Sequence, residues 1–290
     1  MTDAAREPVA DLSSAGFDPP PALPASIRAA TQGAAWMPLR LGGPDPDRHE
    51  IRWADGRVAL LASCPPALPT GSRAARQLVA AALGCERERL QWLGAHVPVG
   101  EVLEWATDED GDPYLLTTAP PGSPAVGTEH GGDAGALITA LALGLRTLHA
   151  IPTATCPFPM DVEARIGLAR ARVQAGVVQQ DALGPAYRRY TPDRLLELLI
   201  ESQPVGDEDA VVVHGAAGLT TVHLDGGQVS GYVEVAGAGV SDRYVDLAAM
   251  AASLARHVSP EALGPFFDAY GIDVPDLRTI DFYVLLHELV

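Results

Sequence analysis

No apolar run in these 290 residues approaches the roughly 20 needed to cross a bilayer. Neither a membrane span nor a membrane partner is therefore expected. The opening stretch, MTDAAREPVADLSS, has no basic segment followed by an apolar one, so no secretion signal is expected. Cysteine is scarce: Cys64, Cys85 and Cys156 are scattered, odd in number and free of CxxC spacing. That argues against a disulfide framework or a zinc site and predicts a reducing, cytoplasmic setting. Positive charge is also short. Twenty basic residues face 37 acidic ones, for a formal net charge of −17, and such a surface repels nucleic-acid phosphates. It favours instead a cationic small molecule or a basic segment of a partner protein.

Apolar residues make up 47% of the chain, enough for a sizeable core at this length. Residues 1–23, rich in Pro, Ala and Asp, read as a mobile arm. Pro24–Gln32 reads as a short helix. Trp36–Leu41, His49–Ala54 and Arg57–Ala62 read as strands, followed by a helical pattern over Arg73–Leu93 that breaks around Gly84-Cys85. Pro98–Trp105 and Tyr114–Thr118 complete a small lobe, 24–119. Residues 120–290 are mostly helical in pattern, with helices expected at 134–150, 162–176, 190–202, 247–258, 260–270 and 279–289.

The most informative stretch is Val211–Glu234, VVVHGAAGLTTVHLDGGQVSGYVE. Three valines lead into His214-Gly215 and a loop. A hairpin follows, in which Val222–Leu224 turns at Asp225-Gly226-Gly227 into a second strand from Gln228 to Val235. Downstream stands SDRYVDL, from Ser241 to Leu247. Upstream stand ATCPF at 154–158 and VQAGVVQQD, from Val173 to Asp181. This layout closely resembles the aminoglycoside phosphotransferases, antibiotic kinases related to protein kinases. The resemblance runs from about Trp36 to Val290. It implies an α+β, protein-kinase-like bilobal fold, with a small antiparallel-sheet N-lobe and a mostly helical C-lobe.

Active members of that family use ATP and magnesium, and the resemblance assigns their groups to positions here. The base of the H-G-D-x-x-x-x-N loop falls on Ala216 and the magnesium asparagine on Thr221. The magnesium aspartate falls on Glu234, a weak metal candidate, with Ala236 and Gly237 after it. The strand lysine falls on Ser63. Its helical partner is Glu86, six before Trp92, which without a lysine reads as a surface glutamate. The hinge residue that donates its N–H to adenine falls on Pro120, which has none. The loop over the phosphates holds two Asp and two Pro (Pro44 to Asp47), the reverse of a phosphate cradle. Of the groups that hold the antibiotic's ammonium groups, Glu288 and the Val290 carboxylate match, while an aspartate has become His287 and a loop acid has become Leu219. His149, Asp242 and Asp246 read as structural.

These positions predict a phosphotransferase-like protein without phosphoryl transfer, with no cofactor expected, that binds a small molecule or a partner in its cleft. The residues available to bind are His214, His223, Glu234, His287, Glu288 and Val290. One alternative is an enzyme turned to non-phosphoryl chemistry, with His214, His223, Glu234 and Glu288 along one cleft and a His as acid or base. His223 and Thr221 would share one strand face, which keeps a His/Glu pair geometrically possible. Against that, His223 on a strand edge reads as solvent-facing. Another alternative is a weak, divergent small-molecule kinase using Glu234 for metal.

Overall fold

The computed structural model describes residues 19–20, 23–40, 45–65, 68, 72–127, 134–204 and 209–290. The expected arm at 1–23 and part of the phosphate-loop position, 41–44, therefore lie almost wholly outside the described residues. Leu23 does not belong to an arm: it is buried with Ile27 in the N-lobe core.

The chain begins with α1 (Ala25–Ala30), then β1 (Ala35–Arg40), β2 (Asp47–Arg52) and β3 (Val58–Ser63). Helix α2 (Arg73–Leu93) precedes β4 (Val102–Thr107) and β5 (Pro113–Thr118). All pairings are antiparallel, in the order β1-β2-β3-β5-β4. Period-2 alternation gives this sheet two apolar faces. Ile51, Ala59, Leu61 and Leu116 pack outward with Trp36 and Ile27. Ala62 and Leu115 pack inward beneath α2, with Leu83, Leu90 and Leu93.

Helix α2 is continuous, although a break was expected at Gly84-Cys85. The Ser72 hydroxyl caps it by accepting from Ala75 N–H. A single helical glycine costs only about 1 kcal/mol relative to alanine, and the buried stripe Ala75, Val79, Leu83, Glu86 and Leu90 runs straight past it.

A two-residue strand, β6 (Ser123–Pro124), marks the crossing into the second lobe. There follow α3 (Ala134–His149), α4 (Val162–Gln174), α5 (Pro192–Glu201) and β7 (Ala210–Val213). The hairpin is β8 (Val222–Asp225) and β9 (Gln228–Tyr232), and its Gly226 and Gly227 both have positive φ, as the two-residue turn requires. Then come β10 (Gly239–Asp242), α6 (Tyr244–His257), α7 (Leu263–Tyr270) and α8 (Leu277–His287). No helix among the described residues is long and apolar enough to cross a membrane.

The lobes are pinned by Arg89 on α2. Its Nε donates to Ala238 O across the boundary at 2.6 Å, and its guanidinium lies 4.7 Å from the Phe158 ring centre. Replacing Arg89 with alanine leaves a buried carbonyl unpaired and should destabilise the protein by about 2–3 kcal/mol. Urea unfolding tests this; a loss below about 0.5 kcal/mol, the scale of an ordinary surface change, would contradict it.

Candidate functional site

The loop after β7 is shaped from below by Asp246, on the first turn of α6. This carboxylate is fully buried. Its Oδ2 accepts from His214 N–H at 2.6 Å and from His149 Nε2 at 3.1 Å, and its Oδ1 accepts from Gly215 N–H at 2.8 Å. Tyr270 O–H donates to His149 Nδ1 at 2.7 Å, which closes the chain of bonds. Burial alone would raise the Asp246 pKa, but the hydrogen bonds from His149 and from the backbone N–H of His214 hold it down at about 2. His214 is neutral by construction. Its Nδ1 accepts from Ala216 N–H and its Nε2–H donates to Val233 O at 2.9 Å, while burial lowers its pKa. His149, Asp242 and Asp246 thus do the structural work expected of them, Asp242 by accepting Tyr244 N–H at 2.8 Å.

At the top of the loop, Ala216 and Thr220 are exposed and the other side chains turn inward. The Thr221 hydroxyl donates to Ala216 O and accepts from Gly218 N–H at 3.0 Å, so it is spent within the loop. Thr221 lies one residue ahead of β8, and its carbonyl accepts from Val233 N–H at 3.0 Å.

Between the lobes is a cavity of about 90 Å³, lined by residues that include Arg48, Leu60, Ala62, Leu115, His223 and Glu234. Three expectations change here. Glu86 is not a surface residue: it is buried, and Arg48 on β2 grips it with two hydrogen bonds of 2.9 and 2.7 Å. His223 is not solvent-facing: it is buried in the cavity, its Nδ1 has no hydrogen-bond partner among the described residues, and burial lowers its pKa. Ser63 is not the cleft-facing position of β3. It falls on the outward face with Ala59 and Leu61, while Leu60 and Ala62 line the cavity. Arg48 stands directly across from Ala62 in the ladder, and cross-strand partners share a face. A cation therefore does meet Glu86, but from the neighbouring strand.

Glu234 lines the same cavity from the C-lobe. Burial works against the charge on Arg48, and the carboxylates of Glu86 and then Glu234 more than restore it, so its pKa is raised. Glu234 is also the one non-glycine residue described with positive φ, at 61°. For a side chain of this kind that backbone costs about 1–2 kcal/mol and marks a position the surroundings over-determine.

A second, larger pocket of about 750 Å³ opens on the other side of the loop. Ala216 and Thr220 line it, and so do His287, Glu288 and Val290. Thr220 is common to both cavities. Glu288 accepts Gly184 N–H at 2.7 Å. His287 donates through Nε2 to Val245 O at 2.8 Å, and burial lowers its pKa. Sequence reasoning missed the arginines here: Arg172, Arg188 and Arg256 also line the pocket.

The model of the phosphotransferase enzyme family matches residues 72–283. An aminoglycoside 3'-phosphotransferase of Streptomyces fradiae is 33% identical over 255 residues, 85% of this chain and 88% of its own. The chain belongs to the phosphotransferase enzyme family. An Escherichia coli aminoglycoside 3'-phosphotransferase is likewise 33% identical over 205 residues, 70% of this chain and 74% of its own. The crystal structure of a type VIII aminoglycoside-3'-phosphotransferase superposes with a TM-score of 0.78 at 29% identity, covering 91% of this chain and 97% of that one. An aminoglycoside phosphotransferase from Streptomyces rimosus, solved with ADP and streptomycin, gives 0.69 at 27% identity, covering 91% and 95%. The bilobal α+β fold is thereby the family's.

Phosphotransferases of this fold class hold nucleotide and magnesium with a strand lysine, an asparagine and an acid. The residues present do not fit that complex. The cavity is several times smaller than the roughly 300–1,000 Å³ usual for small-molecule sites. At the hinge, Thr118 N–H already donates to Glu101 O and Ala119 N–H to Val58 O, and the next two residues are Pro120 and Pro121. Arg48 is committed to Glu86. The chain contains no lysine and no asparagine at any position, so neither group can be supplied from elsewhere in it. Among the described residues no three His, Cys, Asp or Glu side chains are grouped to hold a metal ion.

Asp246 gives the loop a pH signature. Its folded pKa of about 2 lies below the ordinary 3.8, so its contribution of about 2 kcal/mol is present above pH 4 and is lost as pH falls towards 2. Asp246→Asn should cost about 3 kcal/mol at pH 7 and remove that acid-side slope. Denaturant unfolding from pH 7 to pH 2.5 measures both; an unchanged slope in the variant would contradict the assignment.

Proposed function

We propose that this phosphotransferase-family protein binds a small polar molecule beside its catalytic-type loop without transferring phosphate. The observation that carries the reading is Arg48, locked onto Glu86 over a cavity of about 90 Å³, in a loop geometry whose base position is Ala216. A positioned general base is worth about 10²–10⁴ in rate, and the missing cation and amide ligand add to that loss. The larger pocket has the volume of a ligand site. Its Glu288 supports a guest bearing an ammonium group, in line with the net charge. The same surface argues against nucleic acid as a partner, and the reduced cysteines support a cytoplasmic setting.

A second reading has one observation in its favour. His223 presents an unpartnered ring nitrogen in the same cavity as Glu234, an arrangement suited to proton transfer in non-phosphoryl chemistry. The cavity's size limits any such substrate to a few atoms.

Wild-type protein and Ala216→Asp, given millimolar magnesium and labelled ATP, should both fail to phosphorylate kanamycin or streptomycin, because groups that act as one unit are strongly non-additive. Label appearing in the antibiotic with either protein would sink the reading.

A further inference from the structure

We propose that the larger pocket is built for a dipolar guest, one carrying a carboxylate as well as an ammonium group, rather than for a polycation. This rests on the reading of that pocket as the ligand site, and it concerns which charges the guest must bring.

Five side chains of full charge line the pocket: Arg172, Arg188 and Arg256 against Asp45 and Glu288. Arg172 and Asp45 hold each other at 3.0 Å and cancel. Two cations, Arg188 and Arg256, and one anion, Glu288, remain. Arg188 uses only its Nε, on Leu183 O at 2.7 Å, which leaves its outer nitrogens available. Arg256, exposed at the end of α6, makes no hydrogen bond or ion pair among the described residues. Glu288 spends one oxygen on Gly184 N–H and keeps the other.

The rest of the lining includes Ala216, Ala248 and Ala252, small side chains without hydrogen-bonding atoms. They offer a guest contact area but no compensation for a misplaced charge. A polycation would set ammonium groups against two guanidinium groups that lack an anion, and like charges at such range are repulsive. A polyanion would meet Glu288 in the same way. Only a guest with both signs pairs with all three groups. The class this describes is an amino-acid derivative or short peptide with free ends. The chain's −17 conceals it, because three of only 20 basic residues converge on this one pocket.

The test uses the full-length chain without nucleotide, so its outcome is independent of whether phosphate is ever transferred. Calorimetry is run with tetra-alanine, kanamycin and citrate as the dipolar, polycationic and polyanionic probes. Tetra-alanine should bind, and kanamycin and citrate should bind at least about tenfold more weakly. Arg256→Gln and Glu288→Gln should each weaken tetra-alanine by about tenfold. Arg256 is exposed, so its replacement leaves the fold intact. Capping the peptide by N-acetylation or C-amidation should reproduce the two losses without any mutation. The proposal is overturned if kanamycin or citrate binds more tightly than tetra-alanine, if the capped peptides bind as well as the free one, or if none of the three binds.

Discussion

A single buried carboxylate, Asp246, sets the shape on which both cavities depend. It fixes the backbone of His214 and Gly215 from beneath and reaches α7 through His149 and Tyr270. An unpaired charge in that position would cost several kcal/mol, so the geometry is imposed by desolvation as much as by the hydrogen bonds themselves. Gly215 completes it. With φ at 96°, a Cβ there would lie 2.3 Å from Gly237 O, so the loop and the segment after Glu234 are held in contact. The constraint is indifferent to what the top of the loop carries, and Ala216 can occupy the base position without any change in the frame below it.

This separation of frame from chemistry explains how much was legible in the sequence. The valine run, the Asp-Gly-Gly turn and the capped helices are local signals, and each produced its element within a few residues. The loop's inward bonds follow from His214 and Asp246 standing 32 residues apart, a pairing the family spacing carries. What stayed hidden was non-local or turned on a single register step. Arg48 and Glu86 are 38 residues apart and meet only because β2 lies beside β3 beneath α2. A one-residue difference along β3 moves a side chain to the other face, which is why Ser63 and Ala62 exchange roles. His223 reads as an edge residue until β6 and the upper lobe cover it. The three arginines of the larger pocket come from α4, from the segment before α5 and from α6, and nothing in their spacing predicts that they converge. One signal was available in plain sight, namely a chain with no lysine and no asparagine.

The cleft is then best understood through its charges. In a phosphoryl-transfer site, acids face a metal and a cation faces phosphate. Here Arg48 answers Glu86 directly and feels Glu234 as its next anion. The arginine sets a positive charge beside those acids, at a cavity of about 90 Å³. The lobes are held by Arg89 to Ala238 and by Arg172 to Asp45. The larger pocket is lined in turn by Ala216, at the top of the loop.

The most direct test of this account is calorimetric titration of the wild-type protein with ATP at millimolar magnesium. If Arg48 has taken the place of nucleotide and metal in the cleft, no binding tighter than about 100 μM, roughly 5.5 kcal/mol, will be seen. A dissociation constant below that value would contradict it.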